Sequence, residues 1–142
     1  MKCRIKWLEN IAFVGETGSG HSVVMDGAPD AGGRNIGVRP MEMLLLGLGG
    51  CTSFDVVSIL HKARQQIDDC EVEIAGERAT EVPKVFTRIH LHFIVKGRDL
   101  DQNRVARAIE LSADKYCSAS RMLEKTAEIT HDFEIVDTAA ED

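Results

Sequence analysis

Residues 1–8 alternate, with Cys3, Ile5 and Trp7 on one face and Lys2, Arg4 and Lys6 on the other, the two-residue period of a half-buried strand. Phe13-Val14 and Val23-Val24-Met25 flank a glycine-rich turn over residues 15–20, so residues 1–27 read as a small antiparallel meander. Residues 26–39 hold glycines at 27, 32, 33 and 37 and Pro29, and read as a loop. At Pro40 the period changes. Leu45, Leu48, Thr52, Val56, Ile59, Ala63 and Ile67 fall at helical spacing, which predicts a long central helix over residues 40–67. Pro40 suits a first helical position, and Glu42 suits the positive end of the helix dipole. The first half of this helix is apolar almost all round and must be covered on more than one side. The second half has a wet face of His61, Lys62, Arg64, Gln65 and Gln66.

Beyond it, Cys70, Val72 and Ile74 alternate with Glu71 and Glu73. After a turn at Pro83, Val85, Ile89, Leu91, Phe93 and Val95 alternate again, and the two runs are expected to pair as a hairpin. Asp101 precedes a second helix with Val105, Ala108, Ile109, Ser112 and Tyr116 inward, ending near Cys117. Ser118 is expected to cap a third helix through Lys125, and residues 127–136 to form a last strand with Ile129, Phe133 and Ile135 inward. The expected fold is α+β: one domain over 1–142, with antiparallel sheets and a long central helix. A helix this apolar is most simply covered by a second copy of the chain, so a homodimer is expected.

Composition narrows the classes. A chain of 142 residues buries roughly two thirds of its unfolded surface and needs no staples. The net charge of -6, with the 17 basic residues scattered, argues against nucleic acid or an anionic membrane as partner. The N-terminus lacks the apolar segment of a signal peptide, and the longest apolar run, Met41 to Leu48, is too short to span a bilayer. A cytoplasmic location is therefore expected, with the four cysteines as free thiols. Cys3, Cys51, Cys70 and Cys117 form no C-x-x-C pair, so neither a zinc ribbon nor a thioredoxin-type motif is indicated.

The candidate chemistry centres on residues 44–55, LLLGLGGCTSFD. Gly47, Gly49 and Gly50 together give up roughly 3 kcal/mol of helix stability relative to alanine, and something must offset that loss. Gly47 lies one turn before Cys51 and leaves space over its sulfur, while Gly50 would let another backbone pack closely. Cys51 lies too deep in the helix for the dipole to activate it. It is a nucleophile helped by groups from elsewhere, or a small core residue. Cys117 closes the second helix at CSAS, beside small residues. It pairs with Cys51 or is an unrelated core thiol, and spacing does not decide. Asp55, one turn after Cys51, and Arg39, before Pro40, are candidate supporting groups. His90, His92 and His131 raise the question of a metal, but Arg88 and Lys96 share the strand and no carboxylate follows at the same period, so none is expected. GLGG does not complete a dinucleotide fingerprint.

The segments PMEMLLLGLGGCTSFDVVSIL and VARAIELSADKYCSASRML, each with its cysteine on a helix, resemble the OsmC/Ohr family of osmotically inducible and organic hydroperoxide resistance proteins, over essentially the whole chain. The resemblance implies an intertwined α+β homodimer. It also implies that Cys51 attacks an organic hydroperoxide as thiolate, and that Cys117 condenses with the resulting sulfenic acid to a disulfide, which a dithiol such as a lipoyl group reduces. It implies no metal and no bound cofactor. Where the family's peroxidases hold an arginine after a glycine pair, this chain has Gly20-His21. Where they hold a glutamate directly after the helix-opening proline, it has Met41, with Glu42 one step on. His21, Arg39, Glu42 and Asp55 are thus the candidate supporting residues. The alternative reading is a protein of the same fold that binds a small molecule or thiol ligand without turnover.

Overall fold

The N-terminal alternation becomes β1 (Cys3–Glu9), antiparallel to β2 (Ala12–Thr17), which is antiparallel to β3 (Ser22–Met25). Trp7 lies opposite Phe13 and Phe13 opposite Met25, so one face of this sheet carries an apolar row. Ile5, Trp7 and Phe13 on it are exposed, where half-burial was expected. The computed structural model describes residues 1–139, which fall into two compact units, Met1–Leu46 and the described residues from Gly47 onward.

The loop after β3 is organised by the buried Asp26. Its carboxylate accepts the N–H groups of Gly27 (2.7 Å), Arg34 (3.0 Å) and Ile36 (3.3 Å). Burial pushes its pKa up, but those bonds and the Arg34 charge outweigh it and hold the carboxyl below its ordinary value. Backbone crowds backbone here. A Cβ on Gly33 would lie 2.1 Å from the Gly27 carbonyl oxygen, so the glycine is required.

The central helix α1 runs over Pro40–Lys62 and so ends short of the expected Ile67. Arg64 takes a left-handed φ of 59°. Gln65 N–H bonds to the Leu60 carbonyl and Arg64 N–H to that of His61, the paired closure that terminates helices, with arginine in the place glycine usually fills. Gln66 then begins β4. By length and composition alone α1 is long and apolar enough to cross a membrane, although the Met41–Leu48 run is not. Its stripe of Leu48, Thr52, Val56 and Leu60 is buried inside the fold.

In the second unit β4 (Gln66–Arg78) and β5 (Phe86–Arg98) form the expected antiparallel hairpin. β6 (Glu128–Asp137) joins the other edge of β5 in parallel, giving the order β4-β5-β6. A parallel neighbour needs a crossover, and the helices between β5 and β6 supply it. Ile89, Leu91, Phe93 and Val95 of β5 are almost fully buried, as are Val105, Ala108 and Ile109 of α2 (Gln102–Leu111). Asp101 caps α2, accepting from Asn103 N (2.8 Å) and Arg104 N (3.2 Å).

A π-helical turn, Ser112–Tyr116, follows α2 and leads into α3 (Ser118–Leu123). The wider turn carries Tyr116 off the apolar stripe, so it is exposed where an inward position was expected. The cap of α3 is Cys117 itself and not Ser118: its sulfur accepts from Ser120 N at 3.3 Å. The architecture is α+β, with antiparallel pairings in both sheets and one long helix.

Candidate functional site

Helical spacing puts Cys51 and Asp55 one turn apart on α1. The π-helical turn brings Cys117 to them from the far end of the α2 segment. The Cys51 sulfur, an Asp55 carboxylate oxygen and the Cys117 sulfur all lie within 4.8 Å of one another. Cys51 and Asp55 are half-buried and Cys117 is buried. Ser112 Oγ donates to Asp55 Oδ2 at 3.0 Å. Thr52 Oγ1 lies 2.9 Å from the same Ser112 hydroxyl, and because the one Ser112 proton is committed to Asp55, Thr52 is the donor. A chain of hydroxyls thus runs from Thr52 through Ser112 to the carboxylate and fixes it.

Sequence reasoning did not single out Thr52 or Ser112 as site residues. Their signal was present: each is a hydroxyl in an otherwise apolar helical stripe. A buried hydroxyl needs a partner, and here the two partner each other across sixty residues of sequence.

Burial is the largest influence on the Cys117 thiol and raises its pKa; the neighbouring Cys51 adds to this, while the Ser120 hydrogen bonds oppose it. Cys117 is therefore reluctant to ionise. Cys70, on β4, is pushed up by burial and then by Asp69 and Glu71 on either side, so it is a poor nucleophile at neutral pH. Cys3 is exposed on β1.

Three of the expected supporting residues lie in the N-terminal unit, each in a local role. His21 is exposed in the turn before β3, with Nδ1 3.3 Å from Ser19 Oγ. The Arg39 guanidinium bonds Asn35 Oδ1 and the Gly37 carbonyl. Glu42 accepts from the Arg39 backbone N–H at 2.8 Å, one half of a capping box that closes the start of α1.

The glycines divide differently from the expectation. A Cβ on Gly49 would meet Ile74 Cδ1 at 2.6 Å, so α1 packs closely on β4 there, against a side chain. Gly47 and Gly50 meet nothing within 4 Å; the close approach expected at Gly50 falls at Gly49. A groove of about 370 Å³ beside Asp55 is walled by Phe54, Ile59, Leu111 and Tyr116, with Ser58 and Lys62 at its polar side.

The histidines hold a further correction. His90 and His92 do have a carboxylate at the same period, supplied by β6: Asp132 Oδ1 accepts from His92 Nδ1 (2.7 Å) and His90 Nε2 (3.0 Å). The parallel register sets Asp132 opposite His92. His131 lies opposite Leu91 and so on the other face. The hydrogen bond to Asp132 raises the His92 pKa, and His92 in turn lowers that of Asp132.

Comparison with known proteins identifies the family. The family model described as OsmC-like protein matches residues 32–132. Protein YhfA of Escherichia coli (strain K12) is 53% identical over 136 residues, 96% of this chain and 98% of that protein. The crystal structure of a hypothetical protein from Aquifex aeolicus superposes with a TM-score of 0.84 at 25% identity, covering 96% of both chains. A structure from Legionella pneumophila described as an organic hydroperoxide resistance protein OsmC, predicted redox protein and regulator of sulfide bond formation has a TM-score of 0.68 at 17% identity, over 94% of this chain and 95% of that one, a likeness of fold. With a family model matching most of its length and a relative identical at half its positions, the chain belongs to the OsmC-like protein family.

Proposed function

We propose that this protein reduces organic hydroperoxides through Cys51 and Cys117. The observation that carries the reading is the placement of two thiols from separate elements within 4.8 Å of each other, one half-buried and one buried. The half-buried Cys51 meets the peroxide. Its thiolate attacks the O–O bond, the alcohol ROH leaves after taking a proton, and a sulfenic acid remains on Cys51. Cys117, whose raised pKa keeps it a thiol until then, condenses with the sulfenic acid; a disulfide forms and water leaves. A dithiol, with lipoyl groups as the expected class, returns both sulfurs to thiols.

In this reading Asp55, within 4.8 Å of both sulfurs, takes the proton that Cys51 gives up. The apolar walls of the neighbouring groove suit an alkyl or aryl group on the peroxide. Family membership and the Legionella relative's description support a role in peroxide or stress response. A cytoplasmic location, where free thiols persist, belongs to the same proposal.

The protein works as a homodimer. Ile5, Trp7, Leu44, Leu46 and Phe54 are exposed in the single chain, more apolar surface than a monomer keeps without use. The test of the chemistry is peptide mapping after treatment with an alkyl hydroperoxide. A Cys51–Cys117 disulfide supports it, and thiols left free, or paired with Cys3 or Cys70 instead, would overturn it.

A further inference from the structure

We propose that Cys51, Asp55 and Cys117 form a zinc(II) site with three protein ligands and a fourth tetrahedral position open to solvent. The three donor atoms already lie within 4.8 Å of one another. Tetrahedral zinc, with bonds of about 2.3 Å to sulfur and about 2.0–2.2 Å to a carboxylate oxygen, sets its ligands roughly 3.5–3.8 Å apart. Two thiolates and a carboxylate are soft enough to favour zinc over magnesium or calcium, which prefer all-oxygen shells.

The surroundings hold the ligands in the manner of a metal centre. Ser112 donates to one Asp55 oxygen and is itself held by Thr52, which leaves the other oxygen for a cation. The Ser120 N–H points at the Cys117 sulfur, a bond that a coordinated thiolate accepts. Such outer hydrogen bonds orient ligands and tune affinity. Two of the three ligands are half-buried, so a cation has a way in. The other group of potential ligands, His90, His92 and Asp132, is already knit together by hydrogen bonds through one Asp132 oxygen.

Zinc entering this site displaces one proton from each thiol, so binding tightens as pH rises. Both sulfurs are then held as metal-bound thiolates and shielded from other reactants. Metal binding does not depend on the hydroperoxide reading; its effect as a reversible block on turnover rests on that reading.

The experiment is an anaerobic titration of the reduced full-length protein with cobalt(II) as a spectroscopic stand-in, followed by displacement with zinc. One equivalent per chain should produce thiolate-to-cobalt charge-transfer absorption that zinc abolishes. Cys51→Ser and Cys117→Ser should each lose this band, and Asp55→Asn should bind about 10-fold or more weakly, while His90→Gln/His92→Gln should bind normally. A second readout needs no variant: zinc should slow alkylation of Cys51 and Cys117 of the natural chain and leave the exposed Cys3 as reactive as before. No band at one equivalent, a band that survives loss of both cysteines, or protection falling on Cys3 instead would overturn the site. Because the disulfide test is run without metal, zinc binding without peroxide oxidation overturns only the proposed function, and the reverse result overturns only the metal site.

Discussion

Ser112 illustrates how much one side chain decides. Its hydroxyl is buried and shared between Asp55 and Thr52, so Ser112→Ala leaves a carboxylate and a hydroxyl without their partner. The expected cost is about 1–3 kcal/mol, read as a lower denaturant midpoint with an unchanged slope. The same variant should slow disulfide formation, because Asp55 loses its orientation. Cys117→Ser separates the two thiols' roles: peroxide should still consume Cys51, and a sulfenic-acid trap should label it in place of a disulfide. Cys51→Ser should abolish peroxide consumption altogether. At this scale the sequence marked both cysteines and Asp55 through their neighbours, but not the two hydroxyls that hold the carboxylate. Thr52 and Ser112 stand at inward positions of two helices, and nothing local says that those positions face each other.

Individual elements carry two further expectations. Arg64 ends α1 in a left-handed conformation that costs a non-glycine residue about 1 kcal/mol. Arg64→Gly should therefore raise the melting temperature by roughly 2–4 °C, measured by calorimetry. The helix was expected to continue to Ile67 because the apolar period does; the turn at Arg64 moves Ile67 onto β4, where alternation places it equally well. On the outer face of β5 and β6, the His92–Asp132 pair makes stability depend on pH. The hydrogen bond holds His92 above its ordinary 6.5 and Asp132 below its ordinary 3.8. The histidine's contribution is complete below 6.5 and fades as pH rises through the raised value. The aspartate's contribution is present above 3.8 and fades as pH falls through the lowered value. The melting-temperature difference between the natural chain and His92→Gln should accordingly be largest between about pH 4 and 6.5 and shrink as the pH rises above that range. This pair escaped sequence reading because the carboxylate comes from a strand forty residues away, in a parallel register that alternation alone does not specify.

For the whole molecule, the unused apolar surface is the feature to test. Phe54 is 75% exposed and lies with Gly50, Val57 and His61 along a second groove on α1. Phe54→Glu removes little from an isolated chain, because a side chain this exposed contributes little to its core. If that surface meets a second copy, as proposed, the charge should split the dimer, and light scattering at micromolar concentration should register a halved mass. An unchanged mass would place the partner elsewhere on the molecule or show that there is none.

The sequence by itself determined the elements, their order and the α+β class, because two-residue and 3.6-residue periods are local properties that a chain carries whether or not it is folded. It also marked the helix on which chemistry was to be sought, through three glycines ahead of a cysteine. Tertiary structure alone decided that Cys117 reaches Cys51 and Asp55, that Thr52 and Ser112 hold the carboxylate, and that Gly49, not Gly50, is the point of close packing. Those are contacts between residues far apart in the chain, set by how the helices cross and where a π-helical turn redirects the backbone, and no local period encodes them.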